Sequence, residues 1–289
     1  MLSLSECISW MTVGLAESVA IVTLNLCTII VFMRNRNLRK RSTYLMINLA
    51  VIDMFVGGFP VYELFYLPGV DCNLWEWRLT EYGTYMIIVL LLRLFPIASL
   101  TNITTIALER MHATFFPFKH RVLKKWVYGL IIAVVWVTSA LASVTYTLLV
   151  LFEEIQYLAY STVLSICLLI ICISYTSIVI KVRCGTQPQH HGAASRERKL
   201  TMTLLIVTVV SLLLYVPYAV FMFVFYISKS EIVLDNLYYA VVFLLFANSL
   251  VNPILYAIRM PEYRSAFLAL FRRRAHQQRQ VAVLPLRNM

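Results

Sequence analysis

Long apolar runs dominate the chain, and short polar segments separate them. Seven runs approach the length of about 20 residues that a helix needs to cross a bilayer, at 10–33, 43–67, 79–112, 126–152, 157–183, 198–228 and 237–258. Backbone N–H and C=O groups in lipid have to be satisfied internally, so each run is predicted to be a helix. The alternating strands of a membrane barrel are absent from the pattern. We therefore predict an all-α membrane protein, a bundle of seven transmembrane helices.

The segment after the last run differs in kind. Residues 260–273 are too short to span a membrane, and their apolar positions alternate with arginines. That pattern is typical of a short amphipathic eighth helix lying at the inner membrane surface. The predicted membrane domain thus covers 1–274, and the polar segment 275–289 is predicted to be a disordered cytoplasmic tail.

Composition and charge support the same interpretation. The chain is 61% hydrophobic and 13% charged, with a mean hydropathy of +0.78, which excludes an ordinary soluble domain. Of the 25 Lys and Arg residues, 21 fall in four clusters that follow the first, third, fifth and seventh runs: 34–41, 119–125, 181–199 and 259–289. By the positive-inside rule, the N-terminus is expected outside and the C-terminus in the cytoplasm. This layout favours membrane lipids over nucleic acid as partners of the basic charge.

Six cysteines do not make a dense disulfide framework. Only Cys7 and Cys72 fall on the predicted outer side, where thiols can oxidise. A bond between them would tie the N-terminus to the first outer loop, but their spacing leaves pairing and free thiols equally open.

Several polar residues interrupt the apolar runs, where each is costly and is a candidate for function. We expect them to face the bundle interior and to meet there: Asp53, Ser99, Asn248 and Asn252. One interpretation is a water-filled cluster that holds a small cation. The alternative is a set of interhelical hydrogen bonds that only join the helices, each worth about 0.6 kcal/mol.

The inner ends of the helices carry a second group of candidates. Glu109 and Arg110 end the third run, and Glu197 begins the sixth, where it could pair with Arg110 across the bundle. Breaking that contact would release the inner end of the sixth helix, which is the behaviour of a two-state element. Pro217 in the sixth helix and Pro253 in the seventh each remove a backbone hydrogen bond.

Together these residues resemble the rhodopsin-like (class A) family of G-protein-coupled receptors. The matching order is Asn25, Leu49-Ala50 with Asp53, Glu109-Arg110-Met111, Trp136, Tyr175, Pro217 and Asn252-Pro253-Ile254-Leu255-Tyr256. The resemblance implies a plasma-membrane receptor that couples an extracellular ligand to a heterotrimeric G protein. It also implies an allosteric sodium site at the Asp53 cluster and no other cofactor or metal.

The resemblance also implies roles at the inner end. Arg110 would engage the G protein, and Glu109 and Glu197 would be its partners at rest. Tyr175 and Tyr256 would stabilise the active state, while Tyr215 stands where the family commonly has a tryptophan switch and Ser211 where a phenylalanine is common. Transmission through the sixth helix is therefore expected to differ in detail. The short second outer loop without a cysteine favours the melanocortin branch, and more loosely the cannabinoid and lysophospholipid receptors.

The outer halves of the helices should contain the ligand pocket. Leu92 stands where amine receptors carry an aspartate, and Phe246 stands where opsins carry the retinal lysine, so a classical monoamine and retinal are both disfavoured. Glu63 and Arg93 are the charges of this region. They could pair with each other, or Arg93 could reach the interface, or they could meet charged groups of a ligand.

Two other functions stay open beside the receptor. A transporter or channel would use Asp53 as a proton or cation relay, although no repeat between the two halves supports it. A receptor-like protein that does not signal is the other, because Met111 and Tyr215 depart from the family pattern. An enzyme is not expected, since the sequence contains no metal-ligand spacing, nucleophile elbow or phosphate loop.

Overall fold

A computed structural model describes residues 2–35, 38, 42–76, 82–149, 153–184, 193–228 and 235–270. Within these ranges, the side chains at 82, 153–160, 182–184, 193–201, 203–204, 225–228 and 235 are outside the description. The secondary structure of the described residues is helical and contains no strand, so the predicted all-α class is confirmed.

Seven helices of the described chain are long and apolar enough to cross a bilayer, which confirms the predicted bundle. They are α1 (Leu4–Arg34), α2 (Thr43–Asp71), α3 (Tyr82–Phe115), α4 (Lys125–Leu149), α5 (Glu153–Cys184), α6 (Ala193–Ser228) and α7 (Asp235–Arg259).

Several helices continue beyond the apolar runs into polar sequence. The clearest case is α1, which begins at Leu4 because Ser3 and Glu6 form a capping box. The Ser3 hydroxyl accepts from the Glu6 N–H, and the Glu6 carboxylate accepts from the Ser3 N–H at 2.7 Å. This pair satisfies N–H groups that a helix start would otherwise expose, so the helix can begin well before the apolar run.

Helix α2 is not regular along its length. An α-helical part ends at Val56, a π-helical turn occupies Val61–Tyr66, and a short α-helical part follows at Leu67–Asp71. Pro60 directly precedes the π turn and cannot donate to an earlier carbonyl, so the α-helical ladder is interrupted there.

Small residues let α1 approach α2 closely. A Cβ added at Gly14 would lie 2.4 Å from the Leu64 Cβ and 3.1 Å from the Pro60 carbonyl oxygen, so no larger residue fits. One turn further along α1, the Ser18 hydroxyl donates to the Gly57 carbonyl of α2. This contact fixes the interrupted part of α2 against α1.

Two further helices lie at the end of the bundle that carries the basic segments, which we call the inner end, and we call the opposite end outer. A short loop helix, Pro117–Val122, connects α3 to α4, and residues 261–270 form a helix that we call α8. Tyr263 of α8 is buried, and its hydroxyl lies 2.7 Å from that of Thr28 in α1. That α8 lies at a membrane surface stays a prediction, and residues 271–289 are outside the described chain.

Buried amides set the register of the helices around the core. The Asn48 amide of α2 donates to Asn102 of α3 at 2.9 Å, and the Trp136 indole of α4 donates to Asn48 at 3.1 Å. The Asn25 amide of α1 donates to the Ser249 carbonyl of α7 at 3.0 Å. These bonds hold α1, α2, α3, α4 and α7 in the arrangement that positions the polar residues discussed next.

Candidate functional site

The carboxylate of Asp53 lies at the centre of the bundle and is fully buried. Oδ1 accepts hydrogen bonds from the Ser99 hydroxyl at 2.8 Å and the Ser249 hydroxyl at 2.9 Å, and Oδ2 accepts from the Asn252 amide at 2.7 Å. Donors from α3 and α7 therefore meet on one acid of α2. Three strong donors compensate part of the cost of removing the carboxylate from water.

Asn248 of α7 connects this cluster with α6. Its amide donates to the Tyr215 hydroxyl at 3.3 Å, and both residues are buried. The amide oxygens of Asn248 and Asn252 are buried acceptors without a hydrogen-bond partner among the described residues. The structure thus brings the four predicted residues to one place and adds Ser249 and Tyr215.

At the inner end of α3, Arg110 is fully buried and binds its neighbour Glu109. Arg110 Nε donates to one carboxylate oxygen of Glu109 and Nη2 donates to the other, with 2.5 Å between Nη2 and Oε1. Glu197 lies on α6, but its side chain is outside the described residues, so the predicted pair with Arg110 stays a prediction.

Two residues that the sequence analysis did not select hold the same carboxylate. His120 Nε2 of the loop helix lies 2.7 Å from Glu109 Oε1, and the Tyr128 hydroxyl of α4 donates to that oxygen at 3.0 Å. The carboxylate therefore joins α3, the loop helix and α4. A histidine in a loop segment and a tyrosine within the fourth apolar run give no sequence signal of this kind.

The two inner tyrosines have different surroundings. The Tyr175 hydroxyl of α5 accepts from the Thr208 hydroxyl of α6 at 3.0 Å. Tyr256 of α7 is buried, and its hydroxyl has no hydrogen-bond partner among the described residues. Pro217 and Pro253 lie inside α6 and α7 as predicted from the sequence.

Glu63 and Arg93, two charged residues of the outer half, each contact a tyrosine. The Tyr238 hydroxyl of α7 donates to Glu63 at 2.7 Å. Arg93 donates to the Tyr218 hydroxyl at 2.9 Å, and its guanidinium lies 5.1 Å from the ring centre of Tyr146. The acid and the guanidinium are therefore held by neighbouring aromatic residues on α4, α6 and α7. Leu92 and Phe246 are buried in the same half of the bundle.

A disulfide and two side-chain hydrogen bonds join the outer ends of α1, α2 and α7, and we call this group of contacts the outer clasp. Cys7 and Cys72 form a disulfide. The Trp10 indole donates to Asn236 at 2.9 Å, and the Asn236 amide donates to Glu6 at 2.7 Å. The disulfide and these side-chain bonds attach the start of α1 to its neighbours.

Glu17 of α1 is a further buried acid that the sequence analysis missed. Only 3% of its surface is exposed, and neither carboxylate oxygen has a hydrogen-bond partner among the described residues. The rule that selected Asp53, a carboxylate within an apolar run, would also have selected this one. Within the described chain, no group of three or more His, Cys, Asp or Glu side chains could hold a metal.

Comparison with known proteins assigns the family. The chain matches the family model "7 transmembrane receptor (rhodopsin family)" over residues 24–256. It is 27% identical to neuropeptide Y receptor type 2 of Mus musculus, over 86% of this chain and 72% of the relative. It is 25% identical to somatostatin receptor type 5 of Rattus norvegicus, over 84% and 72%. With histamine H2 receptor of Canis lupus familiaris the identity is 26%, over 82% and 72%.

These relatives are receptors and not enzymes, as the sequence led us to expect. They do not separate the branches of the family, so the resemblance to the melanocortin, cannabinoid and lysophospholipid receptors stays a prediction. The family match covers most of the seven spanning helices, including the residues around Asp53 and Arg110. This chain is a multi-pass membrane protein that belongs to the rhodopsin family of seven-transmembrane receptors.

Proposed function

We propose that this receptor binds an extracellular ligand and activates a heterotrimeric G protein when the inner end of α6 opens. The observation that carries the proposal is Arg110, a cation with no exposed surface that Glu109 holds at the inner end of α3. Burying an ion pair of this kind costs desolvation free energy, and removing one partner costs more because it leaves the other charge buried and uncompensated. It therefore suits a resting state that a G protein would have to rearrange.

Helix α6 has the features of the moving element. Pro217 weakens its backbone ladder, and the Tyr175–Thr208 hydrogen bond ties its inner half to α5. A ligand that binds the open bundle more tightly than the closed one would shift the population towards the open state. In that state Arg110 would turn from Glu109 towards the G protein.

Nucleotide exchange on purified G-protein heterotrimers tests the proposal. The receptor is reconstituted in nanodiscs, and binding of a non-hydrolysable GTP analogue is followed without ligand and with pooled synthetic peptides. We expect exchange above the receptor-free rate, lost in Arg110→Ala and kept in Thr138→Ala, which changes an exposed residue of α4. Equal rates for all three proteins would contradict G-protein activation, and ion flux in liposomes would favour a transporter or channel.

For the ligand, we propose a peptide with a basic group that meets Glu63. The relatives include receptors named for neuropeptide Y and somatostatin, and Leu92 and Phe246 disfavour a monoamine and retinal. Glu63 is buried with one carboxylate oxygen bonded to Tyr238. A peptide active in the exchange experiment should lose affinity in Glu63→Gln and keep it in Glu6→Gln, and unchanged affinity in both would remove Glu63 from the pocket.

We further propose that Asp53 binds a sodium ion. The buried amide oxygens of Asn248 and Asn252 are acceptors of the type that sodium prefers, and no described residue donates to them. Ser99 and Ser249 hydroxyls can turn their oxygen atoms towards a cation in the same cluster.

We also propose a plasma-membrane location, which is typical of the family, with the N-terminus outside, because the basic segments follow the odd-numbered helices. Epitope tags at the two ends, probed on intact and permeabilised cells, would test it. We expect the N-terminal tag to bind antibody on intact cells and the C-terminal tag only after permeabilisation. The reverse result would overturn the proposed orientation.

A further inference from the structure

A buried proline, Pro96, lies inside α3. Proline has no backbone N–H, so the Leu92 carbonyl loses the donor that a regular α-helix would supply from residue 96. Prolines inside helices are a common cause of bends. The backbone of α3 is therefore weakest between Leu92 and Pro96.

The two halves of α3 on either side of this point differ in burial. Among residues 83–95 only Leu92 is buried, whereas 12 of the 15 residues 96–110 are buried. The sequence of α3 contains no cysteine, so no disulfide can anchor the outer end of this helix. The outer half of α3, residues 83–95, therefore has room to move, and the inner half, residues 96–110, is packed in place.

Hydrogen bonds also attach the inner half of α3 to α2. The Ser99 hydroxyl donates to Asp53 at 2.8 Å. One turn further inward, the Asn102 amide donates to the Leu45 carbonyl at 3.0 Å and accepts from Asn48 at 2.9 Å. Breaking such bonds would leave buried polar groups without partners, which is costly. The inner half is thus a fixed support for whatever moves above it.

Two polar contacts join α3 to α6, one on each side of Pro96. Outward of the proline, Arg93 donates to the Tyr218 hydroxyl at 2.9 Å. Inward of it, the Ser99 hydroxyl interacts with the Tyr215 hydroxyl. Both tyrosines are buried, with exposures of 1–2%, so these contacts lie inside the bundle.

Pro217 of α6 lies between the same two contacts. It follows Tyr215 by two residues and directly precedes Tyr218. Like Pro96, it has no N–H to donate to the carbonyl of the preceding turn. The weak points of α3 and α6 are therefore at one depth in the bundle.

We propose that the outer half of α3 is a lever that turns about Pro96, and that Arg93 passes its movement to α6 through Tyr218. Movement of Tyr218 bends α6 at Pro217 and displaces its inner end relative to the fixed half of α3, which is hinge motion at two facing points. Pro96 is thus a positioning residue that acts through Arg93. Only the displacement of the inner end of α6 rests on the proposed function; the turning of α3 does not.

Pulsed electron paramagnetic resonance measures the turning in the purified full chain. One spin label replaces Gly83 at the outer end of α3, where an added Cβ meets no neighbouring atom within 4 Å. A second label replaces the exposed Ile8 of α1. The cysteines other than Cys7 and Cys72 are first replaced by alanine, so that the disulfide is kept.

We expect a broad distribution of Gly83–Ile8 label distances in the wild-type background and a narrow one in Pro96→Ala. Alanine restores the N–H donor and favours the helix most strongly, so it stiffens α3. Pro96→Gly should keep the broad distribution, because glycine leaves the helix weak at that point. The matched control pair joins the exposed Val144 of α4 to Ile8 and should be narrow in all three backgrounds.

A Gly83–Ile8 distribution as narrow as that of the control pair, or one that keeps its width in a folded Pro96→Ala, would overturn the lever. Thermal unfolding establishes whether the variant folds. If Pro96→Ala does not fold, the comparison of the two label pairs in the wild-type background decides.

Nucleotide exchange stimulated by the pooled synthetic peptides tests the transfer to α6. Tyr218→Phe removes the hydroxyl that Arg93 holds, and we expect this change and Pro96→Ala each to reduce the stimulated rate severalfold. Because both changes interrupt the same step, the double variant should be no slower than the slower single variant. Thr138→Ala should keep the wild-type rate. An additive loss in the double variant, or full stimulation in either single variant, would overturn the transfer.

The two experiments separate the lever from the proposed function. If the peptides stimulate no exchange and the Gly83–Ile8 distribution still narrows in Pro96→Ala, the transfer to α6 fails with the proposed function and the lever in α3 stands. If the peptides stimulate exchange and the distribution does not change, the receptor function stands and the lever is wrong.

Discussion

His120 Nε2 lies 2.7 Å from Glu109 Oε1, so the loop helix is attached to the same carboxylate that holds Arg110. The Tyr128 hydroxyl reaches that oxygen as well. Any partner that moves the loop helix would therefore disturb the Arg110 pair without touching it.

We expect His120→Phe to raise the basal rate of nucleotide exchange. The change removes a hydrogen bond to a charged group, worth about 1.5–3 kcal/mol, and leaves Glu109 less well oriented towards Arg110. Exchange on purified heterotrimers measures the effect. His112→Phe is the matched control, because the His112 ring lies in the same region, with its centre 5.6 Å from that of the Phe116 ring. A basal rate that stays at the wild-type value in His120→Phe would contradict this role for the loop helix.

Sodium is expected to stabilise the wild-type receptor and not Asp53→Asn. A ligand at ten times its Kd stabilises the state it binds by about 1.4 kcal/mol, so the unfolding midpoint should rise with sodium concentration. Choline chloride at equal ionic strength controls for salt. The idea of a cation at Asp53 fails if sodium and choline give the same midpoint in the wild type.

Glu17→Leu should stabilise the protein. Neither carboxylate oxygen of Glu17 has a partner among the described residues, and such a buried polar group costs about 1–3 kcal/mol. Thermal unfolding in a fixed detergent measures the change. Glu63→Leu is the control with the opposite expected sign, because it removes the acceptor of Tyr238. A lower midpoint in Glu17→Leu would indicate that Glu17 has a favourable partner in the folded receptor.

Replacement of Cys7 and Cys72 by serine should lower the unfolding midpoint. Their disulfide closes a separation of 65 residues, for which chain entropy gives at most about 4 kcal/mol. Helices that persist in the unfolded membrane protein reduce this value. Reductant should lower the wild-type midpoint and leave the double variant unchanged. Equal midpoints for the two proteins would remove the disulfide as a source of stability.

The seven helices could be predicted because lipid imposes a minimum apolar length on every span. Asp53 and its partners were also predictable, since a carboxylate in lipid has to find donors within the bundle. The exact hydrogen-bond partners of Asp53 could not be predicted. Nothing in the sequence distinguishes Ser249, whose contact with Asp53 depends on the register of α1 and α7 that Asn25 sets. His120 could not be predicted either, since its role depends on how the loop helix folds back under α3.

The start of α1 shows a different limit. Hydropathy placed it at residue 10, but the capping box of Ser3 and Glu6 begins the helix at Leu4. A cap is a local hydrogen-bonding signal that hydropathy does not contain. The extra turns bring Glu6 and Cys7 into the outer clasp.

The π turn at Val61–Tyr66 has a consequence for any transfer of ligand contacts from relatives. Such a turn takes one residue more than an α-helical turn, so later positions are rotated by about 100° compared with an uninterrupted helix. That rotation orients Asp71 towards α7, where its carboxylate accepts a hydrogen bond from the Tyr239 hydroxyl. For a relative whose second helix is uninterrupted, an alignment that extends outward from Asp53 without a compensating gap would compare side chains on different faces of α2. Contacts copied from such a relative would be assigned one position out of place.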